Sequence, residues 1–198
     1  MSFRKEYKFK LNSYEIIVLK SQLITRGMTQ LHDQRKINSM YFDTKDFKLY
    51  SDSEEGLLPR SKYRVRWYNN DTQKKLEEKF SSIEGRFKTS KSITDDYFKV
   101  ISQKGLFKND YGLLFPSMLV SYTRDYYSFA DLRITFDTQI FYASQLSNFK
   151  IQLRDTNFVV EVKTSIGCSE GYVFKHLPYS TSRFSKYCRA FRIHEKSM

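Results

Sequence analysis

A charged hairpin near the middle of the chain constrains the fold more than any other feature of the sequence. In residues 61–68, SKYRVRWY, three cations occupy every second position and large apolar side chains lie between them. Residues 69–71, NND, are typical of a turn, and residues 75–80, KLEEKF, return with a similar alternation. Because side chains alternate across a strand, the segment predicts two strands with one charged face. The hairpin alone leaves open whether that face meets water or a ligand.

The same alternation recurs along the chain and predicts about eight strands. Residues 131–137 have only polar side chains on one face and only apolar ones on the other, and residues 157–163 are similar. The predicted strands are 3–11, 36–42, 61–68, 75–80, 86–93, 117–129, 131–137 and 157–163. Helical spacing predicts helices at 14–25, 95–107 and 182–194, with Ser13 and Thr94 as N-caps of the first two, a short helix or turn at 43–52 and a loop at 51–60.

The composition points to a polyanionic partner. The chain carries 34 Lys and Arg against 22 Asp and Glu, a net charge of +12. Such an excess suits nucleic acid, an anionic membrane surface, or nucleotides and phosphate chains. A length of 198 residues makes a single domain over residues 1–198 the simplest organisation. The two cysteines lack metal-ligand spacing, the N-terminus lacks a signal peptide and no apolar run reaches about 18 residues, so we expect a cytoplasmic protein without its own transmembrane segment.

Two architectures accommodate these strands. In a two-layer sandwich the charged faces would be exposed to solvent, whereas in a closed barrel with helices packed outside they would line a tunnel. The charged faces keep a matching phase in residues 3–11, 61–80, 131–137 and 157–163, which favours the barrel. The prediction is an α+β fold: a closed antiparallel barrel of about eight strands that forms a basic tunnel, with short helices outside and a C-terminal helix packed near it.

A Glu-x-Lys pattern occurs three times, at residues 6–8, 77–79 and 161–163. This spacing puts each Glu and Lys on one strand face, where the carboxylate can hold a divalent cation and the ammonium group a phosphate. A single copy is better explained as a surface pair of opposite charges, which contributes little to stability. Three copies, with Arg64, Arg66 and residues 133–137 in matching phase, indicate a site for a polyanion and a metal, because burying so many like charges is otherwise too costly.

Seven short motifs follow one another along the chain: INSMYFDT (37–44), KYRVRWY (62–68), LEEK (76–79), SYTRDYY (121–127), RITFD (133–137), VVEVK (159–163) and RFSKYC (183–188). Together they resemble the VTC-type polyphosphate polymerase domain, a member of the triphosphate tunnel metalloenzymes related to the CYTH proteins. The resemblance runs from Phe3 to Cys188. The CYTH proteins carry E-x-E-x-K in the first strand, whereas this chain has Arg4 at the position of the first glutamate. In this respect the sequence resembles the polymerase branch more than the CYTH relatives.

The resemblance implies a set of site residues. Cations that would bind the triphosphate of ATP and the growing chain are Lys8, Arg64, Arg66, Lys79, Lys88, Arg124, Arg133 and Lys186, with Lys91 in place of Lys88 if the register shifts. Further substrate-binding residues are Tyr122 and Ser185, to which the charged strand faces add Thr135 and Lys163. Glu161 matches the metal-binding glutamate of the family, with Glu6, Glu77 and Asp137 as possible additional ligands, and the implied metal is Mn²⁺ or Mg²⁺. Ser185 and Lys186 match a pair on a C-terminal helix at the tunnel mouth.

The predicted function is metal-dependent transfer of the γ-phosphate of ATP onto inorganic polyphosphate inside a basic tunnel. One alternative is a triphosphatase that hydrolyses a nucleoside or RNA 5′-triphosphate or tripolyphosphate, and another is a non-catalytic module that binds polyphosphate. A basic barrel that binds nucleic acid is a further class, but the inward phase of the basic residues counts against it. A membrane-bound partner is compatible with the sequence.

Overall fold

The computed structural model describes residues 4–69, 71–145 and 152–195. These residues form an α+β fold of ten strands and five helices. The strands are β1 (Arg4–Leu11), β2 (Thr29–Asp43), β3 (Arg60–Tyr68), β4 (Lys74–Ser82), β5 (Gly85–Ile93), β6 (Leu106–Lys108), β7 (Gly112–Phe129), β8 (Leu132–Ser144), β9 (Gln152–Arg154) and β10 (Phe158–Ser165). The helices are α1 (Ser13–Thr25), α2 (Lys48–Glu55), α3 (Asp95–Lys104), α4 (Glu170–His176) and α5 (Lys186–Glu195). Phe3 of the predicted first strand and Asn70 of the predicted turn lie outside the described residues.

The strands pair in the order β1-β10-β8-β7-β2-β3-β4-β5, with β6 added to β7 and β9 added to β8. The main sheet therefore has eight strands, as predicted, and its assigned registers are antiparallel. The order has two ends, β1 and β5, and no strand ladder joins them in the part of the chain that the structure describes. The predicted closed barrel is thus corrected to an open strand order. The exposed side chains along β5 are those of an edge strand, and alternation within a strand does not encode closure.

Residues 4–36, 122–140 and 154–184 form one compact unit, the first unit. Its core lies between strands β1, β8 and β10 and helices α1 and α4. The core includes Phe9, Phe136 and Val160 from the strands, and Leu19 and Val173 from the two helices. The apolar face of each strand is therefore the face that helices cover, as predicted, and the charged residues occupy the opposite face.

The described parts of residues 37–121, 141–153 and 185–198 form the second unit. Here Tyr63 and Val65 of β3 pack with Leu49 of α2 and Ile101 of α3 in a buried cluster. Because β3 alternates, this packing leaves its cationic side chains on the other face of the strand. The hairpin from the middle of the sequence is formed by β3 and β4, in the register that pairs Arg64 with Glu77.

The first helix begins with a capping box that differs from the predicted cap. Asn12, not Ser13, is the N-cap: its Oδ1 accepts the N–H of Glu15 at 2.9 Å, and Glu15 Oε2 accepts the N–H of Asn12 at 2.7 Å. The reciprocal pair decides the position because Glu15 lies three residues after Asn12, whereas Ile16 lies three residues after Ser13. The predicted cap of α3 is confirmed, since Thr94 Oγ1 accepts the N–H of Tyr97.

Other element boundaries also differ from the sequence predictions. β2 begins at Thr29 instead of residue 36, α2 occupies part of the predicted loop 51–60, α3 ends at Lys104 before Gly105, and α5 begins at Lys186 instead of residue 182. Helix α4 was not predicted. Among the described residues, no helix has both the length and the apolar character needed to cross a bilayer.

Candidate functional site

Three lysines line up across neighbouring strands of the second unit. Lys62 of β3 lies opposite Lys79 of β4, and Lys79 lies opposite Lys88 of β5. Directly opposed residues have Cβ atoms about 5 Å apart, and like charges at that spacing destabilise a sheet. These three residues, Lys62, Lys79 and Lys88, are called the lysine row below, and an anion that lies against the row would reduce the repulsion between them.

Two residue pairs further along the hairpin, a buried carboxylate joins the cations. Glu77 Oε2 accepts from Arg64 Nε at 2.8 Å and lies 2.6 Å from Arg64 Nη2, while Glu77 Oε1 accepts from Lys88 Nζ at 2.5 Å. Arg66 Nη1 lies 3.9 Å from the same carboxylate. Burial alone would raise the pKa of Glu77, but the charges of Arg64 and Arg66 and the hydrogen bonds from Lys88 and Arg64 lower it to about 2. Glu77 is therefore ionised and holds these three cations together.

This geometry places two residues whose roles were predicted from the sequence. Lys88 contacts Glu77, whereas Lys91 lies opposite Leu76, so Lys88 is the β5 lysine associated with the charged face. Both oxygens of Glu77 contact side-chain cations, so the carboxylate orients Arg64 and Lys88. A metal-binding role for Glu77 stays a prediction.

The beginning of α5 meets the same face within the second unit. Ser185 Oγ accepts from Lys62 Nζ at 2.9 Å and from the N–H of Cys188 at 3.4 Å. Ser185 thus caps α5 and binds a member of the lysine row, and Lys186 follows it as the first helical residue. Cys188 is a buried free thiol whose pKa is raised by burial, so it has no sign of a reactive thiolate.

In the first unit, acidic and basic residues form two rows across β1, β10 and β8. One row pairs Glu6 with Lys163 and Lys163 with Arg133, and the next pairs Lys8 with Glu161 and Glu161 with Thr135. Lys163 Nζ lies 3.0 Å from Glu161 Oε1 and 3.9 Å from Glu6 Oε2, and Lys8 Nζ lies 3.1 Å from Glu6 Oε1. The Glu-x-Lys repeats at residues 6–8 and 161–163 therefore lie side by side on adjacent strands.

Arg124 joins the remaining acidic residues of the first unit. Its Nε and Nη2 donate to the two oxygens of Asp137 at 2.5 and 2.7 Å, and Nη2 lies 3.4 Å from Glu161 Oε2. Although burial opposes the charged form, Asp137 and the other nearby groups raise the pKa of Arg124 well above its ordinary value. The guanidinium also lies 5.3 Å from the centre of the Tyr122 ring. Arg124 is therefore a fixed cation between Asp137 and Glu161.

The carboxylates of the first unit suit a metal that is shared with phosphates. Among the described residues, no group of three or more His, Cys, Asp or Glu side chains could hold a metal by itself. Mg²⁺ is usually bound by one or two carboxylates together with water and substrate phosphates, so a complete protein cage is not required. Both oxygens of Glu161 and of Glu6 lie 3.0 to 3.9 Å from side-chain cations, so these contacts are longer than the two hydrogen bonds that Arg124 donates to Asp137. Glu161 and Glu6 therefore fit this pattern better than Asp137.

Sequence reasoning did not assign Lys62, Tyr41 or Asp43 to the site. Lys62 had a detectable signal, because it shares the phase of Arg64 and Arg66 on one strand. Tyr41 Oη accepts from Arg64 Nη1 at 3.1 Å, and this contact depends on the pairing of β2 with β3. Asp43 accepts hydrogen bonds from the N–H of Leu49 in α2 and from the hydroxyl of Tyr187 in α5, and the local sequence does not encode these contacts.

Comparisons with known proteins agree with this architecture. A candidate adenylate cyclase from Bacillus halodurans has 17% identity over 93% of this chain and 94% of its own, with a TM-score of 0.62. A candidate adenylyl cyclase from Hippeastrum, described as having a dominant triphosphatase activity, has 16% identity over 96% of both chains, with a TM-score of 0.59. The PH1819 protein from Pyrococcus horikoshii has 12% identity over 96% of this chain and 99% of its own, also with a TM-score of 0.59. At these identities the likeness shows the fold.

A search of curated protein sequences finds no match. The family comparison is decisive, because the model of the VTC domain matches residues 3–194, nearly the whole chain and all the residues of the two charged faces. The chain therefore belongs to the VTC domain family.

Proposed function

We propose that the protein is a metal-dependent phosphotransferase that adds the γ-phosphate of ATP to inorganic polyphosphate. The observation that carries the proposal is the lysine row, in which three cations lie at opposed strand positions and together suit an anionic ligand. A phosphate chain is such a ligand, since it presents negative charge at regular short intervals. Membership of the VTC domain family supports this choice of ligand.

The chemistry requires positioning and charge neutralisation, not a protein nucleophile. A terminal oxygen of the acceptor chain attacks the γ-phosphorus, the bond from that phosphorus to the β,γ-bridging oxygen breaks, and ADP leaves. The transferring group spreads its negative charge over the equatorial oxygens, where fixed cations stabilise it. A bound Mg²⁺ or Mn²⁺ supplies further charge neutralisation on the phosphate oxygens.

The proposal gives each residue one role. Phosphate-binding cations are Lys62, Arg64, Arg66, Lys79, Lys88 and Lys186 in the second unit, and Lys8, Arg124, Arg133 and Lys163 in the first unit. Additional phosphate contacts come from Tyr122, Thr135 and Ser185. Glu161, with Glu6, would hold the metal, and Asp137 and Glu77 orient the arginines that they contact.

The proposal is tested with purified protein, ATP and Mn²⁺ or Mg²⁺. We expect chains that a polyphosphatase digests, together with ADP in an amount matching the phosphate incorporated. Glu161→Gln should abolish turnover because it removes the carboxylate charge, while Glu84→Gln, in the exposed turn between β4 and β5, should leave turnover unchanged. Production of ADP and free phosphate without chains would contradict the polymerase.

That contrary outcome defines the second candidate, a triphosphatase. Its support is the dominant triphosphatase activity by which the Hippeastrum neighbour is described. The same cations would bind the triphosphate, and water would replace the acceptor chain as the attacking group. Tripolyphosphate offered as sole substrate separates the two reactions, because hydrolysis shortens it and a polymerase needs ATP to extend it. Binding of tripolyphosphate with no turnover of any triphosphate would indicate a non-catalytic module.

A further inference from the structure

A buried carboxylate and a buried phenol form a pair behind the cations of the second unit. Asp43 is the last residue of β2 and is completely buried, and Tyr187 is the second residue of α5 and almost completely buried. Tyr187 Oη donates a hydrogen bond to Asp43 Oδ2. Burial and the charge of Asp43 raise the pKa of Tyr187 well above its ordinary value, so the phenol keeps its proton and acts as the donor.

Asp43 also fixes the beginning of α2. Its carboxylate accepts the backbone N–H groups of Thr44 at 2.8 Å, Leu49 at 2.9 Å and Tyr50 at 3.0 Å. Leu49 and Tyr50 lie in the first turn of α2, and the N-cap residue of that helix, Phe47, makes no capping bond with its side chain. One carboxylate therefore caps α2 and holds α5 at the same time.

The pair connects to Arg64 through one aromatic side chain. The ring of Tyr187 stacks on that of Tyr41, with ring centres 4.7 Å apart and planes inclined by 22°. The backbone of Tyr41 is also held, because its carbonyl oxygen accepts a hydrogen bond from Ser117 Oγ at 3.1 Å. The Tyr41 hydroxyl then accepts from Arg64 Nη1 at 3.1 Å. The position of the Tyr187 ring therefore limits the position of a guanidinium on the charged face.

The pair also connects to Lys62 through the first turn of α5. Ser185 lies two residues before Tyr187, and its hydroxyl accepts from Lys62 Nζ at 2.9 Å. The N–H of Arg189 donates to the Ser185 carbonyl oxygen at 2.9 Å, so Ser185 is part of the helical hydrogen-bond pattern. Anchoring Tyr187 therefore anchors the residue that receives Lys62.

We propose that the Asp43–Tyr187 hydrogen bond is a positioning device, which holds Arg64 and Lys62 where they bind an anionic phosphate ligand. Asp43 and Tyr187 act through Tyr41 and Ser185 and are not themselves ligand contacts. The inference rests on the proposed function for the identity of the ligand. It assigns a role in ligand binding to Asp43 and Tyr187, although neither residue contacts the ligand.

Tyr187→Phe tests the device while keeping the ring that stacks on Tyr41. We expect its affinity for tripolyphosphate, measured by calorimetry on the full chain, to fall about tenfold, because one lost anchor displaces two cations. With ATP as substrate, KM should rise by a similar factor and kcat should change less, since ligand positioning is affected before the chemical step. Tyr172→Phe is the matched control, because it removes a hydroxyl that donates to the Ala130 carbonyl oxygen in the first unit. Its affinity and KM should equal those of the wild type.

Asp43→Asn provides the second arm. If the two residues act as one device, the double variant should bind tripolyphosphate no more weakly than Asp43→Asn alone, so the effects are non-additive. A lower melting temperature in Tyr187→Phe with unchanged affinity and KM would overturn the proposal, because the pair would then support stability alone. Binding of tripolyphosphate by the wild type without turnover of ATP would refute the enzymatic function, and the affinities would still decide the positioning role. Absence of binding by the wild type would refute both.

Discussion

At the scale of single residues, Glu77 makes a strongly cationic strand face compatible with a folded protein. Without its carboxylate, Arg64, Arg66 and Lys88 would lie close together without the negative charge that now lies among them. Removing one partner from a buried ion pair is strongly destabilising, because it leaves an uncompensated charge. Glu77 therefore contributes to stability through the charge of its neighbours, and this contribution depends on pH.

We predict that the contribution of Glu77 is lost in acid. Its folded-state pKa of about 2 lies below the ordinary 4.5, so the stabilisation is complete above about pH 4.5 and disappears as pH falls toward 2. The linkage relation gives a loss of about 2 kcal/mol by pH 3. Urea unfolding of the wild type and Glu77→Gln should therefore show a difference in unfolding free energy that shrinks by this amount between pH 6 and pH 3. Glu84→Gln is the control, and a difference independent of pH would contradict the assignment.

We also predict that Lys79→Gln affects ligand binding more than stability. Relief of the repulsion from Lys62 and Lys88 offsets the contacts that Lys79 loses, so the free energy of unfolding of the unliganded variant should stay close to that of the wild type. Its affinity for tripolyphosphate should fall about three- to tenfold and depend less steeply on salt, as expected for one lost charge near a surface. Lys99→Gln, on the exposed surface of α3, should change neither quantity. Equal affinity in the two variants would remove Lys79 from the site.

At the scale of elements, the sequence predicts regular strands well and tertiary caps poorly. The alternation in residues 61–80 predicted both strands of the hairpin and the face that packs against helices, because burial imposes a period of two. By contrast, α2 begins after Phe47, whose backbone has a left-handed conformation. The helix is capped by Asp43, which lies outside it. The first eight residues of β2 are exposed and lack apolar alternation, so the local pattern does not predict a strand there.

The capping box of α1 gives a direct test at this scale. Asn12→Ala should lower the free energy of unfolding by about 1 kcal/mol, because it removes the acceptor for the N–H of Glu15. Ser13→Ala should have a much smaller effect, since Ser13 is an exposed residue inside the first turn. Thermal unfolding of the two variants under the same conditions measures the difference. A larger loss in Ser13→Ala would mean that the helix begins one residue later.

At the scale of the whole molecule, the sequence identified the charged faces but not their registers. The phase of Lys62, Lys79 and Lys88 can be read from each strand separately. Their alignment in one row depends on turn geometry, which the alternation does not specify. The family match covers residues 3–194, while the described residues group into two compact units built from interleaved segments. The organisation of residues 1–198 as a single domain stays a prediction.

The net charge of +12 and the lysine row together predict a large stabilising effect of polyanions. A ligand present at one hundred times its dissociation constant contributes about 2.7 kcal/mol to the folded state. Tripolyphosphate should therefore raise the melting temperature by several degrees in low salt, and 0.5 M NaCl should remove most of the increase by screening. Glucose at equal concentration is the uncharged control. An increase that is insensitive to salt would show that charge does not dominate binding.

The hydrogen bond between Asp43 and Tyr187 also sets an order of events during translation. The two residues are 144 positions apart, and ribosomes add about 5 to 20 residues per second. Tyr187 is therefore synthesised roughly 7 to 30 s after Asp43. During that interval no α5 is present to cover the side of the carboxylate that faces Tyr187. The contacts by which Tyr41 and Ser185 hold Arg64 and Lys62 can therefore be completed only after α5 has been synthesised.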